Sequence, residues 1–192
     1  DNPKRQYAFT WEMILVQDTW VGINTMVPNR LVHEAIAAQA IPELRGYASI
    51  RREVPYGQNS RIDLLLQQEQ RLCYVEVKNV TLVHDRIASF PDAVTTRGSK
   101  HVRELVEMVK QGHRGVMLFL MQRTDADAFT AAADIDPDYA DTLVSGIEQG
   151  VEVLIYQAQV TPEEISIVRS LPSTMGRGRS KRGDMCIRRR MT

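Results

Sequence analysis

The stretch that decides the fold runs from residue 60 to residue 79 and reads SRIDLLLQQEQRLCYVEVKN. Two runs rich in β-forming and apolar residues, 62–66 and 72–77, flank the polar turn 67–70, which predicts an antiparallel hairpin. A further run at 48–55 precedes the hairpin and is separated from it by a turn-rich loop. Together the three runs predict a meander of three strands.

The predicted hairpin brings acidic side chains together. Successive side chains of a strand alternate between its two faces, so Glu76 and Lys78 share one face. A turn centred on Glu69 and Gln70 places Asp63 directly opposite Glu76, where like charges are destabilising. A hard divalent cation such as Mg²⁺ prefers carboxylate oxygens and would remove that repulsion. Lys78 could then hold a water or balance developing charge, although a surface ladder of salt bridges explains the same spacing.

A third carboxylate comes from a helix before the meander. Asn29 follows a proline and is a good N-cap for a helix over about 30–41, which Pro42 ends. Glu34 lies at the edge of the apolar stripe of this helix, so it is a candidate third metal ligand. An exposed helix glutamate fits the spacing equally well.

The rest of the chain predicts an α/β protein. Residues 80–98 are mixed and read as a loop. Apolar spacing then predicts a helix over 99–111, a buried strand over 116–121, a helix over about 137–149 with Asp136 as its N-cap, and a second buried strand over 151–156. This order implies a mixed sheet with helices on its faces.

Basic residues mark candidate contacts to nucleic acid. Lys100 and His101 lie in the first turns of the predicted helix, away from its apolar stripe, and Arg97 lies just before it. With Arg61 beside the candidate carboxylates, they are predicted to touch phosphates. A polar, solvated helix face is the competing interpretation of this segment.

The composition of the chain limits the classes of protein to which it can belong. Lysine and arginine balance aspartate and glutamate at 24 each, yet residues 173–192 carry seven basic residues against one acidic residue. That tail predicts a disordered extension or an electrostatic arm. No apolar run is long enough to cross a bilayer. Two cysteines build neither a disulfide framework nor a four-cysteine zinc site, which favours a reducing, cytoplasmic location.

Several motifs are excluded by single positions. The pair His33 and Glu34 lacks the second histidine of a zinc-protease helix, since position 37 is alanine. The segment 97–100 lacks the glycine spacing of a phosphate-binding loop. No serine-nucleophile elbow occurs, and Cys73 lies in a predicted buried strand.

Long motifs closely resemble the sugar fermentation stimulation protein A family of bacteria and archaea. They lie in order, with matching spacing, across residues 5–172. They are WVGINT at 20–25, PNRLV at 28–32, REVPYG at 52–57, SRIDLLL at 60–66, YVEVKNVTL at 74–82, FPDAVT at 90–95, RGSKH at 97–101 and DPDY at 136–139.

The resemblance implies a restriction-endonuclease-like domain over 24–172, of the class whose motif is PD-(D/E)xK. It implies that residues 1–23 are the last strands of an incomplete OB-fold barrel, and it leaves the tail 173–192 unmatched. It also implies a catalytic and metal-binding set of Glu34, Asp63, Glu76 and Lys78, the same residues that strand geometry selects.

The functional expectation is a non-specific DNA-binding protein with a metal-dependent phosphodiesterase site that uses Mg²⁺ or Mn²⁺, linked to the regulation of sugar (maltose) metabolism. The alternative is a catalytically silent, regulatory DNA-binding module on a nuclease scaffold. RNA as a partner and a homodimer as the assembly both stay open, and no membrane partner is expected.

Overall fold

The computed structural model describes residues 9–175. It contains eleven strands, three α-helices and one short 3-10 helix at Pro42–Leu44. The strands are β1 (Met13–Val16), β2 (Thr19–Gly22), β3 (Ser49–Tyr56), β4 (Ser60–Gln68), β5 (Arg71–Val80), β6 (Leu82–His84), β7 (Ile87–Phe90), β8 (Arg114–Met121), β9 (Ala128–Ala131), β10 (Glu152–Val160) and β11 (Ile165–Ser170), and the helices are α1 (Val27–Ala37), α2 (Thr96–Lys110) and α3 (Pro137–Glu148).

A mixed six-stranded sheet in the order β11-β10-β8-β5-β4-β3 forms the centre of the molecule. The predicted meander is confirmed, because β3, β4 and β5 are antiparallel neighbours. Strands β5, β8 and β10 are parallel to one another. Residues 115–121 of β8 are all buried, as expected of a parallel strand covered on both faces. The predicted mixed sheet flanked by helices is therefore confirmed.

Each face of this sheet has its own apolar core. On one face, Val75 and Val77 pack with Val32 and Ile36 of α1. On the other face, residues of α2 and α3 pack against alternate positions of β8, with Phe119 fully buried among them. The face of β5 that carries Glu76 and Lys78 is therefore the one that α2 covers.

The first helix differs from its prediction at both ends. It spans Val27–Ala37 rather than 30–41, and its N-cap is Met26, which makes no side-chain cap hydrogen bond. The predicted cap Asn29 lies inside the first turn, where its side chain is free to bind Asp63 instead. At the other end, Gln39 adopts a left-handed φ of 57°, which ends the helix before Pro42.

The prediction of a loop over 80–98 is wrong. Strands β6 and β7 form a hairpin there, and β7 pairs in parallel with β9 in a separate three-stranded sheet. These strands are three or four residues long, too short to show an alternating pattern in the sequence. Strand β11 was not predicted either, because it is a half-exposed edge strand with a polar end.

The N-terminal strands β1 and β2 form an antiparallel hairpin with its turn at Gln17 and Asp18. It is attached to the main domain through Gly22, whose N–H donates to the carbonyl of Gln122 at 2.9 Å. A Cβ at Gly22 would lie 2.7 Å from Oε1 of Gln122, so only glycine permits this close approach. Whether the hairpin is the remnant of an OB-fold stays a prediction.

The C-terminal end of the described chain is ordered beyond the predicted boundary at 172. Ser173 forms an isolated parallel bridge with Phe129, and the N–H of Thr174 donates to the carbonyl of Phe129 at 2.8 Å. The basic residues of the predicted tail lie outside the described residues. No helix within 9–175 is both long and apolar enough to span a membrane.

Candidate active site

The site lies where β4 and β5 separate. The ladder between them has the predicted register and ends at the pair Leu64 and Val75, one step before the predicted pair Asp63 and Glu76. Beyond that point β4 continues to pair with β3, while β5 continues with β8. The two strands therefore open a notch in the sheet at Asp63 and Glu76.

A kink in the neighbouring strand β3 lies opposite Asp63. Glu53 has a positive φ of 52° and falls between the pairs Arg52–Leu64 and Val54–Ile62. A left-handed glutamate inside a strand is a strained conformation of the kind that clusters at functional sites. Past the kink, Ile62 packs in the core on the α2 side, whereas Leu64 packs on the α1 side.

The side chain of Asp63 accepts a backbone hydrogen bond from β5 where the ladder between β4 and β5 is interrupted. Its Oδ2 accepts a hydrogen bond from the N–H of Val77 at 2.8 Å, and its Oδ1 accepts one from Nδ2 of Asn29 at 2.7 Å. These two contacts fix the carboxylate at the mouth of the notch, between β5 and α1.

Glu76 is 2% exposed and has two partners on one oxygen. Its Oε1 accepts from Nζ of Lys78 at 2.7 Å and also contacts Nδ1 of His101 on α2. The other oxygen, Oε2, is buried and has no hydrogen-bond partner among the described residues. The structure thus joins Glu76 and Lys78 on one face, as predicted, and adds His101 to them.

The pKa values of the two carboxyl groups are shifted in opposite directions. Burial and then the negative charge of Glu76 raise the pKa of Asp63 to about 6, against the opposing hydrogen bond from Val77. Burial also acts to raise the pKa of Glu76, but the hydrogen bond from His101 and the charge of Lys78 outweigh it and hold that pKa below its usual value. Glu76 is therefore the more acidic group of the pair.

Further buried polar groups surround Glu76. The hydroxyls of Tyr56 and Tyr139 and Oε2 of Glu104 are buried without a partner among the described residues. Burial and the nearby carboxylates, Glu76 first among them, raise the pKa of both tyrosines. These hydroxyls stay protonated and can donate hydrogen bonds beside the site.

Glu34 does not join this cluster. Its side chain is 61% exposed and lies 4.0 Å from Nε of Arg30, one helical turn earlier. The inward orientation expected at the edge of the apolar stripe is wrong, because the observed helix begins at Val27 and its buried stripe runs through Leu31, Val32 and Ile36. Its role as a metal ligand stays a prediction.

The predicted phosphate contacts fall into two groups. Arg61 and Arg97 are exposed, and the side chain of Lys100 is 45% exposed, with its Nζ donating to the carbonyl of Gln58 at 2.7 Å. His101 is only 4% exposed, and both of its ring nitrogens contact other side chains of the protein. The solvated helix face considered for this segment is therefore wrong at His101 and at Glu104, which is also buried.

The site fits a cation that takes few protein ligands. Within residues 9–175, no three histidine, cysteine, aspartate or glutamate side chains are grouped closely enough to hold a metal ion. Two carboxylates with an unpartnered oxygen nevertheless suit Mg²⁺, which is commonly bound through one or two carboxylates and keeps several waters. Burial first, and then the negative charge of Glu76, raise the pKa of Asp63, and a bound cation would offset both.

Comparison with known proteins identifies the family. The family model described as "Sugar fermentation stimulation protein RE domain" matches residues 26–164, which include the notch and both central helices α1 and α2. The chain belongs to the sugar fermentation stimulation protein family. The predicted resemblance and the restriction-endonuclease-like fold are both confirmed.

Curated relatives agree over most of the chain. A sugar fermentation stimulation protein homolog of Citrifermentans bemidjiense is 56% identical over 168 residues, which cover 88% of this chain and 73% of that protein. The homolog of Geobacter sulfurreducens is 54% identical over 176 residues, covering 92% of this chain and 75% of that protein. The homolog of Shewanella loihica is 51% identical over 175 residues, covering 90% and 75%.

A solved structure supports the same fold. The protein described as Pyrococcus furiosus SfsA in complex with Ca²⁺ superposes with a TM-score of 0.78 at 26% sequence identity. The match covers 84% of this chain and 70% of that chain.

Proposed function

We propose that this member of the sugar fermentation stimulation protein family binds nucleic acid non-specifically and hydrolyses its phosphodiester backbone at a divalent-cation site. Asp63 and Glu76 would hold Mg²⁺ or Mn²⁺. The main support is the pair formed by the half-buried Asp63, whose pKa is raised, and the buried Glu76, whose Oε2 has no partner among the described residues. The Ca²⁺ complex of the Pyrococcus protein supports a cation in the family.

The bound ion would supply positive charge for the phosphoryl oxygens and would lower the pKa of a coordinated water. Lys78, which shares the face of Glu76, would orient the attacking water and stabilise the charge that develops on the phosphate. The Asn29 amide and the Val77 N–H hold Asp63 in place for this task.

Substrate would be held through its backbone. Arg61 and Arg97 are exposed and Lys100 is partly exposed, so their positive charges can reach phosphates without reading bases. DNA is the expected partner, and RNA would present the same phosphate chemistry. A cytoplasmic location and a link to sugar metabolism accompany this function, the latter supported by the names of the relatives.

The test is incubation of the full chain with DNA and RNA, each single- and double-stranded, with Mn²⁺ and with a chelator. We expect cleavage that requires Mn²⁺ and is lost in Glu76→Ala. Tight, salt-sensitive binding without cleavage of any substrate would instead establish the silent, regulatory binder. Cleavage that persists in Glu76→Ala would place the activity elsewhere.

A further inference from the structure

Phosphate binding does not explain the position of the His101 side chain in the site. It lies in the second turn of α2, 4% exposed, with Nδ1 against Oε1 of Glu76 and 3.2 Å from Nζ of Lys78. On the far side of the ring, Nε2 accepts from Nε of Arg97 at 3.4 Å. A side chain enclosed in this way touches the carboxylate and the lysine, and it is not free to meet a phosphate.

The partners of the ring determine where its proton lies. A guanidinium only donates hydrogen bonds and a carboxylate only accepts them, so Nε2 faces Arg97 as an acceptor and Nδ1 faces Glu76 as a donor. The ammonium of Lys78 also only donates, and it lies closer to Oε1 of Glu76, at 2.7 Å, than to Nδ1, at 3.2 Å. In a neutral imidazole the proton is then on Nδ1, which donates to Oε1 of Glu76. Lys78 donates to that same oxygen at 2.7 Å.

Both donors therefore converge on one oxygen of Glu76 and leave the other without a partner. A glutamate has three rotatable bonds, and a fixed orientation has to be imposed by contacts. Without a second donor, Lys78 would have to hold Glu76 in that orientation and also contact the water and the phosphate. A second donor from α2 removes this conflict.

We infer that His101 is a positioning residue that holds Glu76 with Oε1 turned towards α2 and Oε2 left for the cation. Arg97 supports it by keeping the proton on Nδ1. This inference rests on the proposed metal site and assigns His101 a role different from the predicted phosphate contact. Outer partners of metal ligands commonly change metal affinity by about 10–100-fold when they are removed.

Two amide variants separate the two ring nitrogens. The short side chain in His101→Asn places its NH₂ near the position of Nδ1, whereas the longer side chain in His101→Gln places it near Nε2. Calorimetric titration of the full chain with Mn²⁺ should give His101→Asn an affinity within about threefold of the wild type. In His101→Gln the affinity should fall by about 10–100-fold.

Equal affinities in the wild type and His101→Gln would overturn the role of His101, and so would an equal loss in both variants. Lack of Mn²⁺ binding by the wild type would overturn the metal site itself, so the two failures are distinguishable. Circular dichroism of both variants checks that the fold is retained.

A second measurement needs neither a variant nor a metal. A long-range ¹H–¹⁵N spectrum of the metal-free wild type should show His101 protonated at Nδ1 and unprotonated at Nε2. The opposite tautomer would break the hydrogen bond to Glu76 and overturn the inference.

Discussion

Asp63 accepts the backbone N–H of Val77 at 2.8 Å, so a carboxylate from β4 occupies the position that a carbonyl of the β4–β5 ladder would otherwise fill. This contact holds Asp63 beside Glu76 at the point where the strands diverge. It also explains why two like charges are tolerated there: each has donors, Val77 and Asn29 for Asp63, Lys78 and His101 for Glu76. Burial and the remaining repulsion from Glu76 still raise the pKa of Asp63.

Metal-free Asp63→Asn should be more stable than the metal-free wild type at neutral pH. The pKa of Asp63 is about 6 in the folded state, above the ordinary aspartate value near 4. The folded protein therefore binds more protons between about pH 4 and pH 6, and the free energy of unfolding falls as the pH rises through this window. An amide cannot ionise, so the Asp63→Asn variant does not lose stability in this way. Asn29 can rotate its own amide group and keep its hydrogen bond to the new side chain.

Urea unfolding at pH 4.5 and pH 7.5 measures this difference. We expect a gain for Asp63→Asn on the order of 1–2 kcal/mol at pH 7.5 that shrinks towards pH 4.5. The exposed Asp92 provides the matched control, since Asp92→Asn should change stability little at either pH. A destabilised Asp63→Asn protein at pH 7.5 would contradict the repulsion described here.

Lys78→Met should separate catalysis from binding. Methionine keeps most of the apolar stem and deletes the ammonium group of a side chain that is 15% exposed beside Glu76. Cleavage should fall by about 10²–10³-fold, the usual cost of losing one group that stabilises transition-state charge. Mn²⁺ affinity should be largely retained, because His101 still holds Oε1 of Glu76. Quantitative cleavage assays with Lys110→Met, at the exposed end of α2, as the control provide the comparison.

Unchanged cleavage in Lys78→Met would mean that the activity belongs to another site or to a contaminant. An equal fall in Lys110→Met would show that general loss of positive charge, rather than the position of Lys78, is responsible.

Arg61 should contribute to affinity through one phosphate contact. It is exposed, and its Nη1 donates to the carbonyl of Glu53 at 2.8 Å, which holds its charge beside the notch. Arg61→Gln should weaken binding similarly for all sequences and reduce the slope of log affinity against log salt by about 1. Arg71→Gln, at the other end of β5, should leave the slope unchanged. A loss confined to particular sequences would mean that Arg61 reads bases.

The predicted role of Glu34 as a metal ligand can be tested by the same titration as the other carboxylates. In the observed geometry Glu34 is exposed beside Arg30, and in the proposed site two carboxylates and water would provide the ligands. Glu34→Gln should therefore keep Mn²⁺ affinity within about twofold in calorimetry, by comparison with Glu76→Gln. A loss equal to that of Glu76→Gln would show that Glu34 becomes a third ligand when the ion binds.

Local pattern was sufficient to predict most of the sheet and the centre of the site. The polar turn at 67–70 sets the register of β4 and β5, and that register brings Asp63 to the same end of the ladder as Glu76. Alternation along β5 correctly placed Lys78 on the face of Glu76. These predictions succeed because each depends on residues that are close in sequence.

The contacts that the sequence did not reveal join distant segments. Asn29 resembles a helix cap, and only the position of α1 beside the notch makes it a partner of Asp63. The pairing of His101 with Glu76 spans 25 residues and depends on how α2 crosses the sheet. The left-handed Glu53 carries no local signal, because glutamate has no preference for that conformation.

Calorimetric titration of Mn²⁺ into the full chain shows whether Asp63 and Glu76 together hold a divalent cation. The wild type should bind one ion, and both Asp63→Ala and Glu76→Ala should abolish the binding, while Asp92→Ala should leave it intact. Equal Mn²⁺ affinity in the wild type and in both alanine variants of the pair would exclude a cation site formed by Asp63 and Glu76.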